Sequence, residues 1–224
     1  MSIDEGYVKY VSHWTDGVLP HAECVAELEQ WRAQLYDAGL IGHYDHLDVC
    51  FGNLSIRAVG RGRFIISGTQ TGRLAHTTAD HYALVTKPDV AGNAVRPVGP
   101  SRASSEALTH AAIYRLSDAI GAVVHGHDEM LWRHYLDRLP TTDARVAYGT
   151  PAMAAEFERL WSDRAFHDSR GDSFREKGLA IMGGHEEGIV SIGRDLAEAA
   201  QRILALKATD RRPAKGGSPD ADVP

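Results

Sequence analysis

The hydrophobic positions of this chain fall into short runs and stripes that alternate between strand and helix periodicity. Val25, Leu28, Trp31 and Leu35 recur at three and four residues, the spacing of one buried helix face, and Gly39 is placed to end that helix. Asp48-Val49-Cys50-Phe51 and Gly52-Asn53-Leu54-Ser55-Ile56-Arg57 read as extended. The Gly60-Arg61-Gly62 turn then leads into Arg63-Phe64-Ile65-Ile66, which predicts a two-stranded hairpin. A Gly- and Thr-rich loop, Ser67 to Gly72, precedes another short strand, His81 to Val85. Ser104 or Ser105 suits the N-cap of a helix running to about Ala119.

The second half repeats this grammar. The apolar run Ala122-Val123-Val124 stops on His125-Gly126-His127, and a helix carrying Met130, Leu131, His134, Tyr135 and Leu139 follows. Thr150-Pro151 starts a further helix with cap and first-turn proline in order, burying Met153, Phe157 and Trp161. Strands over Leu179 to Met182 and Ile189 to Ile192 flank a turn, which puts His185 at a hairpin tip. A last helix carries Leu196, Ala199, Ala200 and Ile203. Residues 1–20 have no clear period and are expected to pack loosely. Residues 207–224, rich in Pro, Gly, Asp and Lys, are expected to form a disordered tail, leaving 1–206 as one domain without internal repeats. Hairpins mixed with helices predict an α/β protein whose sheet is mixed or largely antiparallel and covered by helices.

Composition narrows the function. A length of 224 residues with 43% hydrophobic content suffices for one buried core. The net charge of −6 argues against a general nucleic-acid binder, which needs clustered Lys and Arg, yet leaves room for a small anionic ligand held by backbone amides. Cys24 and Cys50 have no CxxC partner, so neither a cysteine metal site nor a disulfide framework is expected. With no N-terminal signal pattern and no apolar stretch of membrane-spanning length, the expected location is cytoplasmic, without membrane partners.

The candidate chemistry lies at the strand ends. His125 and His127, at i and i+2 of a strand, share one face and can grip one metal ion; His185 ends a second apolar strand. Three histidines with the Glu106 carboxylate form a set that zinc chemistry uses. Glu106 at a helix start also suits dipole complementarity or a capping role, and His110, one turn on, suits a partner behind the metal ligands or, the favoured reading, a core-edge residue. Gly52-Asn53-Leu54-Ser55, Ser67-Gly68 and Ser104-Ser105 are polar corners which, if they converge, make a phosphate or carboxylate cradle without lysine; each alone also reads as ordinary turn chemistry. His43, His46, His76 and His81 read as turn or surface residues, Asp45 and Asp48 as loop formers, and Arg211-Arg212 as solvated. Glu186 and Glu187 could orient His185 or steer cations, with solvent exposure the favoured reading.

The series Gly-Asn-Leu-Ser, Ser-Gly, Ser-Ser-Glu, Val-Val-His-Gly-His and a late strand ending on His resembles the class II aldolase/adducin family from about residue 22 to 206. The resemblance implies a three-layer α/β/α sandwich, often a homotetramer with its site near subunit boundaries. It further implies a zinc-dependent (or other divalent metal) lyase that cleaves a small hydroxy-carbonyl substrate, typically a sugar phosphate, by retro-aldol chemistry through an enediolate. In that reading His125, His127 and His185 are the metal ligands, and Glu106 is the acid/base. Asn53, Ser67, Gly68, Ser104 and Ser105 hold the phosphate. Epimerase, dehydratase and decarboxylase activities on the same metal site, or a non-catalytic adducin-like interaction domain, are the alternatives. The chain departs from the family in three ways. Relatives often place a larger hydroxyl residue where Gly126 stands. They often flank the third histidine with Asn and Gly rather than Gly184 and Glu186. The sugar-phosphate aldolases use a tyrosine near the C-terminus, whereas the last tyrosine here is Tyr148. Tyr148 or Asp143 could instead serve a neighbouring subunit.

Overall fold

Strand and helix follow one another as β1 (Val11–Ser12), α1 (Val25–Asp37), β2 (Gly42–Tyr44), β3 (Val49–Phe51), β4 (Asn53–Arg57), β5 (Phe64–Ser67), β6 (Tyr82–Asp89), β7 (Ala94–Val98), α2 (Ala107–Leu116), β8 (Ala122–His127), α3 (Glu129–Tyr135), α4 (Pro151–Ser162), α5 (Phe174–Lys177), β9 (Leu179–Ile181), β10 (Gly188–Gly193) and α6 (Leu196–Asp210). The structure is a computed structural model that describes residues 7–162 and 173–210.

Eight strands make one sheet in the order β1-β7-β6-β5-β4-β8-β10-β9, while β2 and β3 pair apart from it. All neighbours in the large sheet are antiparallel except β1 and β7. Alternation sorts the side chains onto two faces. Phe64, Ile66, Val123 and Val190 pack with Leu108 and Ala112 of α2 and Met153 and Phe157 of α4. Ile65, Ala122, Val124 and Ile189 pack on the opposite face with Leu28 and Leu35 of α1 and Ala200 and Ile203 of α6. The architecture is therefore the expected three-layer α/β/α sandwich with a mixed, largely antiparallel sheet.

Several boundaries differ from the sequence expectation. The helix after Ser104-Ser105 begins at Ala107, with Glu106 as its N-cap residue and no side-chain cap bond. The Ser104 hydroxyl instead accepts from the Glu106 amide, and the Ala107 amide donates to the Ser104 carbonyl, so these serines form a turn that delivers Glu106. That helix also stops at Leu116, short of Ala119, because Ser117 is already extended. Strands β1, β2 and β7 and the one-turn helix α5 have no counterpart in the sequence expectation; β1, β2 and α5 are only two to four residues long, and β7 carries Arg96 and Pro97. The last helix runs four residues past the expected end of the domain, to Asp210, and Lys207 donates to the Asp128 carboxylate at 2.6 Å. The rest of the expected tail, with Arg211 and Arg212, lies outside the described residues. The N-terminal segment is anchored from residue 7 on: the Tyr10 hydroxyl donates to the Ala103 and Ser104 carbonyls, and the Tyr7 amide to the Tyr148 hydroxyl.

Candidate metal centre

Strand β8 sets the site. His125 and His127 lie on the face of Val123, toward α2, and both are buried. Antiparallel register places Asn53 and Val190 opposite His125, and Gly188 opposite His127. The tight β9–β10 connection brings in His185 from the hairpin tip, its amide donating to Met182 and its carbonyl accepting from Gly188. One potential ligand atom from each of the three imidazoles lies within 4.8 Å of the other two, and among the described residues this is the one such group of metal-ligating side chains. His127 Nε2 is 3.1 Å from His185 Nε2. Tetrahedral zinc at about 2.0–2.1 Å from each nitrogen requires separations of this order.

Unmet polar atoms point into the same space. His125 Nε2 and both Glu106 carboxylate oxygens are buried without a hydrogen-bond partner. Glu106 Oε1 is 4.0 Å from His185 Nε2. A buried lone pair and a buried carboxyl without partners are costly, and a cation between them removes the cost. Burial holds His125 down to about 3 and pushes His127 and His185 well below the ordinary imidazole value, with neighbouring imidazoles adding to the effect on those two. All three rings are thus neutral at pH 7, the form that binds metal. Burial raises the Glu106 carboxyl to about 7, against the Thr109 hydroxyl and the Lys9 ammonium.

Tautomers decide whether those nitrogens can bind. Asn53 Nδ2 lies 3.2 Å from His125 Nδ1 while Asn53 Oδ1 has no partner. Amide orientation is a choice of hydrogen-bond network, and the flipped amide accepts from Nδ1–H and leaves Nε2 as the free lone pair. Gly188 keeps the space open: a Cβ there would stand 2.7 Å from His185 Cδ2 and 3.2 Å from His125 Nε2.

Asn53, Gly68, Ser104 and Ser105 line one small polar pocket beside the histidines, with Thr69 and Thr71 in its wall. Ser67 does not: its hydroxyl accepts from the Leu54 amide inside the sheet. The Gly68 amide is likewise spent, on the His81 carbonyl, and a Cβ at Gly68 would strike Ser101. A larger cavity of about 580 Å³ between α3 and α6 contains none of these residues, and its lining offers no comparable group of convergent ligands.

Other residues fall differently from the sequence reading. His110 is fully buried rather than at the core edge, its Nδ1 2.7 Å from Ser55 Oγ, which also meets the Tyr114 hydroxyl at 2.8 Å. Tyr148 packs its ring 4.4 Å from the His185 ring of the same chain, with Lys9 Nζ 3.8 Å from its centroid. Asp143 is engaged by Arg145, which holds its carboxyl low. Glu186 is exposed, but Glu187 turns inward, where its carboxylate accepts from the Tyr44 hydroxyl. Lys9, Tyr10 and Tyr44 carried no sequence signal, because nothing local to them has the period of the site.

The sequence matches the class II aldolase and adducin N-terminal domain over residues 34–210. The chain belongs to that family. Among curated protein sequences none matches it. Solved structures share the fold at low identity. YgbL from Klebsiella pneumoniae, a candidate aldolase/epimerase/decarboxylase, superposes with a TM-score of 0.60 at 19% identity, over 84% of this chain and 87% of that one. L-fuculose-1-phosphate aldolase from Thermus thermophilus gives 0.56 at 19%, over 87% and 100%. A sugar-phosphate aldolase from Thermotoga maritima gives 0.57 at 17%, over 87% and 98%. The family match begins at residue 34, after α1 is under way, so it does not include Lys9 and Tyr10. Among the described residues no helix is long and apolar enough to cross a membrane.

Proposed function

We propose that this family member is a zinc-dependent lyase that breaks a carbon–carbon bond in a small hydroxy-carbonyl substrate, a sugar phosphate by class, through retro-aldol chemistry. One observation carries the reading: three buried neutral imidazoles converge beside a buried carboxyl that has no partner. His125, His127 and His185 hold the metal. Bound there, zinc supplies Lewis acidity toward substrate oxygens. Glu106 moves the proton; a carboxyl near neutrality can both accept and return one. Ser104, Ser105 and Asn53 bind the phosphate end through side-chain donors, with Ser67 and Gly68 shaping the corner behind them. Residues 1–206, together with the end of α6 to Asp210, form the working domain of a cytoplasmic homotetramer.

Epimerisation, dehydration or decarboxylation uses the same groups, and the fold shared with YgbL keeps these as the second reading. Product analysis after incubation with ketose phosphates and hydroxy-aldehyde phosphates separates them. Elemental analysis of purified protein should find about one zinc per chain. His125→Ala should lose metal and turnover together. Glu106→Gln should keep the metal and slow turnover by at least about 100-fold; full activity in that variant would remove Glu106 from the mechanism.

A further inference from the structure

The small β2–β3 sheet stands apart from the main sheet. It presents two aromatic rings to the site: Phe51 lies 5.4 Å from the His127 ring, and Tyr44 lies 4.4 Å from Phe51, centroid to centroid. The Tyr44 hydroxyl donates to Glu187 Oε2 and lies 3.5 Å from His127 Nδ1, the ring nitrogen turned away from His185. Glu187 Oε2 is itself 4.0 Å from that nitrogen. Glu187 sits in the left-handed region at φ 67°, and its carbonyl accepts from the Asp128 amide, so the turn is tied to the backbone just past His127.

We infer that Tyr44 and Glu187 are positioning residues for the metal centre: together they hold His127 Nδ1–H as a donor, which fixes the ring's orientation and leaves Nε2 for the metal. His127 Nδ1–H donates to the Tyr44 oxygen, and the Tyr44 O–H donates to the Glu187 carboxylate. A carboxylate behind a metal-bound histidine raises its basicity, and loss of such outer partners typically weakens metal binding by about 10- to 100-fold. Asn53 serves His125 in the corresponding way from β4. The pair faces a cavity of about 400 Å³ lined also by His127, Asp128 and Lys207, which shares no lining residue with the Ser104-Ser105 pocket. Neither residue therefore stands in the pocket assigned to the phosphate.

The inference rests on the three histidines binding a metal, and the two ideas fail differently. Metal-free protein is titrated with Co²⁺, reading its visible spectrum, and affinity is measured by competition with a chromophoric chelator. Wild type with no Co²⁺ spectrum overturns the metal site itself and this inference with it. With wild type binding, Tyr44→Phe keeps the aromatic stack and should weaken Co²⁺ binding by about 10- to 100-fold with a changed spectrum. Its metal-free melting temperature should stay near that of wild type. Glu187→Gln, which still accepts from the tyrosine but lacks the charge, should give a smaller loss. The double variant should lose little more than Tyr44→Phe alone. Unchanged affinity and spectrum in both single variants, or losses that simply add, overturn the relay.

Discussion

At the scale of single residues, the site is a set of polar atoms whose demands are met or left open by a few neighbours. Glu106 could have capped its helix, the ordinary use of an acidic residue there. Its side chain makes no cap bond, because the turn built by Ser104 points it toward His185. His110 is met at one nitrogen and left open at the other, its Nε2 being buried without a partner. Burial keeps it neutral, with its titration pushed to about 3, and Ser55 meets its Nδ1. Ser55 thereby ties β4 to His110 and Tyr114 of α2. Ser55→Ala strands two buried groups and should cost about 1–3 kcal/mol in urea unfolding. The metal content should be unchanged, since Ser55 touches none of the three ligands. A loss of zinc without a loss of stability would refute that placement.

At the scale of elements, register is what aligns the centre. Antiparallel pairing of β4, β8 and β10 puts Asn53, His125 and Val190 in one row and His127 against Gly188 in another, so a one-residue slip of β8 would turn both imidazoles away. Gly126, between the histidines, faces the other layer. A Cβ there would stand 3.0 Å from Ile203 Cδ1 of α6 and 3.3 Å from Leu40 Cβ. In this chain Leu40 and α6 close on the strand, which leaves little room for a side chain at this position. Gly126→Thr should destabilise by about 1–3 kcal/mol through overpacking. Trimming the neighbour in Gly126→Thr/Ile203→Val should recover part of it, as measured by chemical denaturation. Additive losses in the double variant would show that α6 is not the obstacle.

For the whole molecule, the buried titratable groups make stability depend on pH. His110 and His125 titrate near 3 in the folded chain, and His127 and His185 are also held well below the ordinary 6.5. As pH falls below about 6.5 the unfolded chain takes up protons at these four positions and the folded chain does not, so stability drops toward acid. Glu106 acts in the opposite sense. Its folded value near 7 exceeds the ordinary 4.5, so in that interval the folded chain binds the extra proton. Four imidazoles outweigh one carboxyl, each contributing a slope of about 1.4 kcal/mol per pH unit where it operates. Metal-free protein should therefore lose stability steeply from about pH 6.5 to 4.5 in urea titrations. A flat profile over that range would show that the imidazoles are not held neutral by the fold.

Local pattern was enough for the parts of this protein that depend on neighbours in sequence. The i, i+2 spacing of His125 and His127, the hairpin that carries His185, the amphipathic helices and the alternation of the sheet all follow from periodicity within a few residues. So does the family, through motifs that are themselves short. Convergence was beyond that reach. Asn53 against His125 joins positions 72 residues apart, Ser55 against His110 joins 55, and Tyr44 against Glu187 joins 143. The folding of Lys9 and Tyr10 over the site likewise leaves no periodic trace. Such contacts are set by strand register and by how the layers pack, which no local stretch of chain encodes. The sequence by itself thus determined which side chains were on offer for chemistry. Only the tertiary structure decided which nitrogens face one another, which carboxyl was left without a partner, and which hydroxyl stands behind His127.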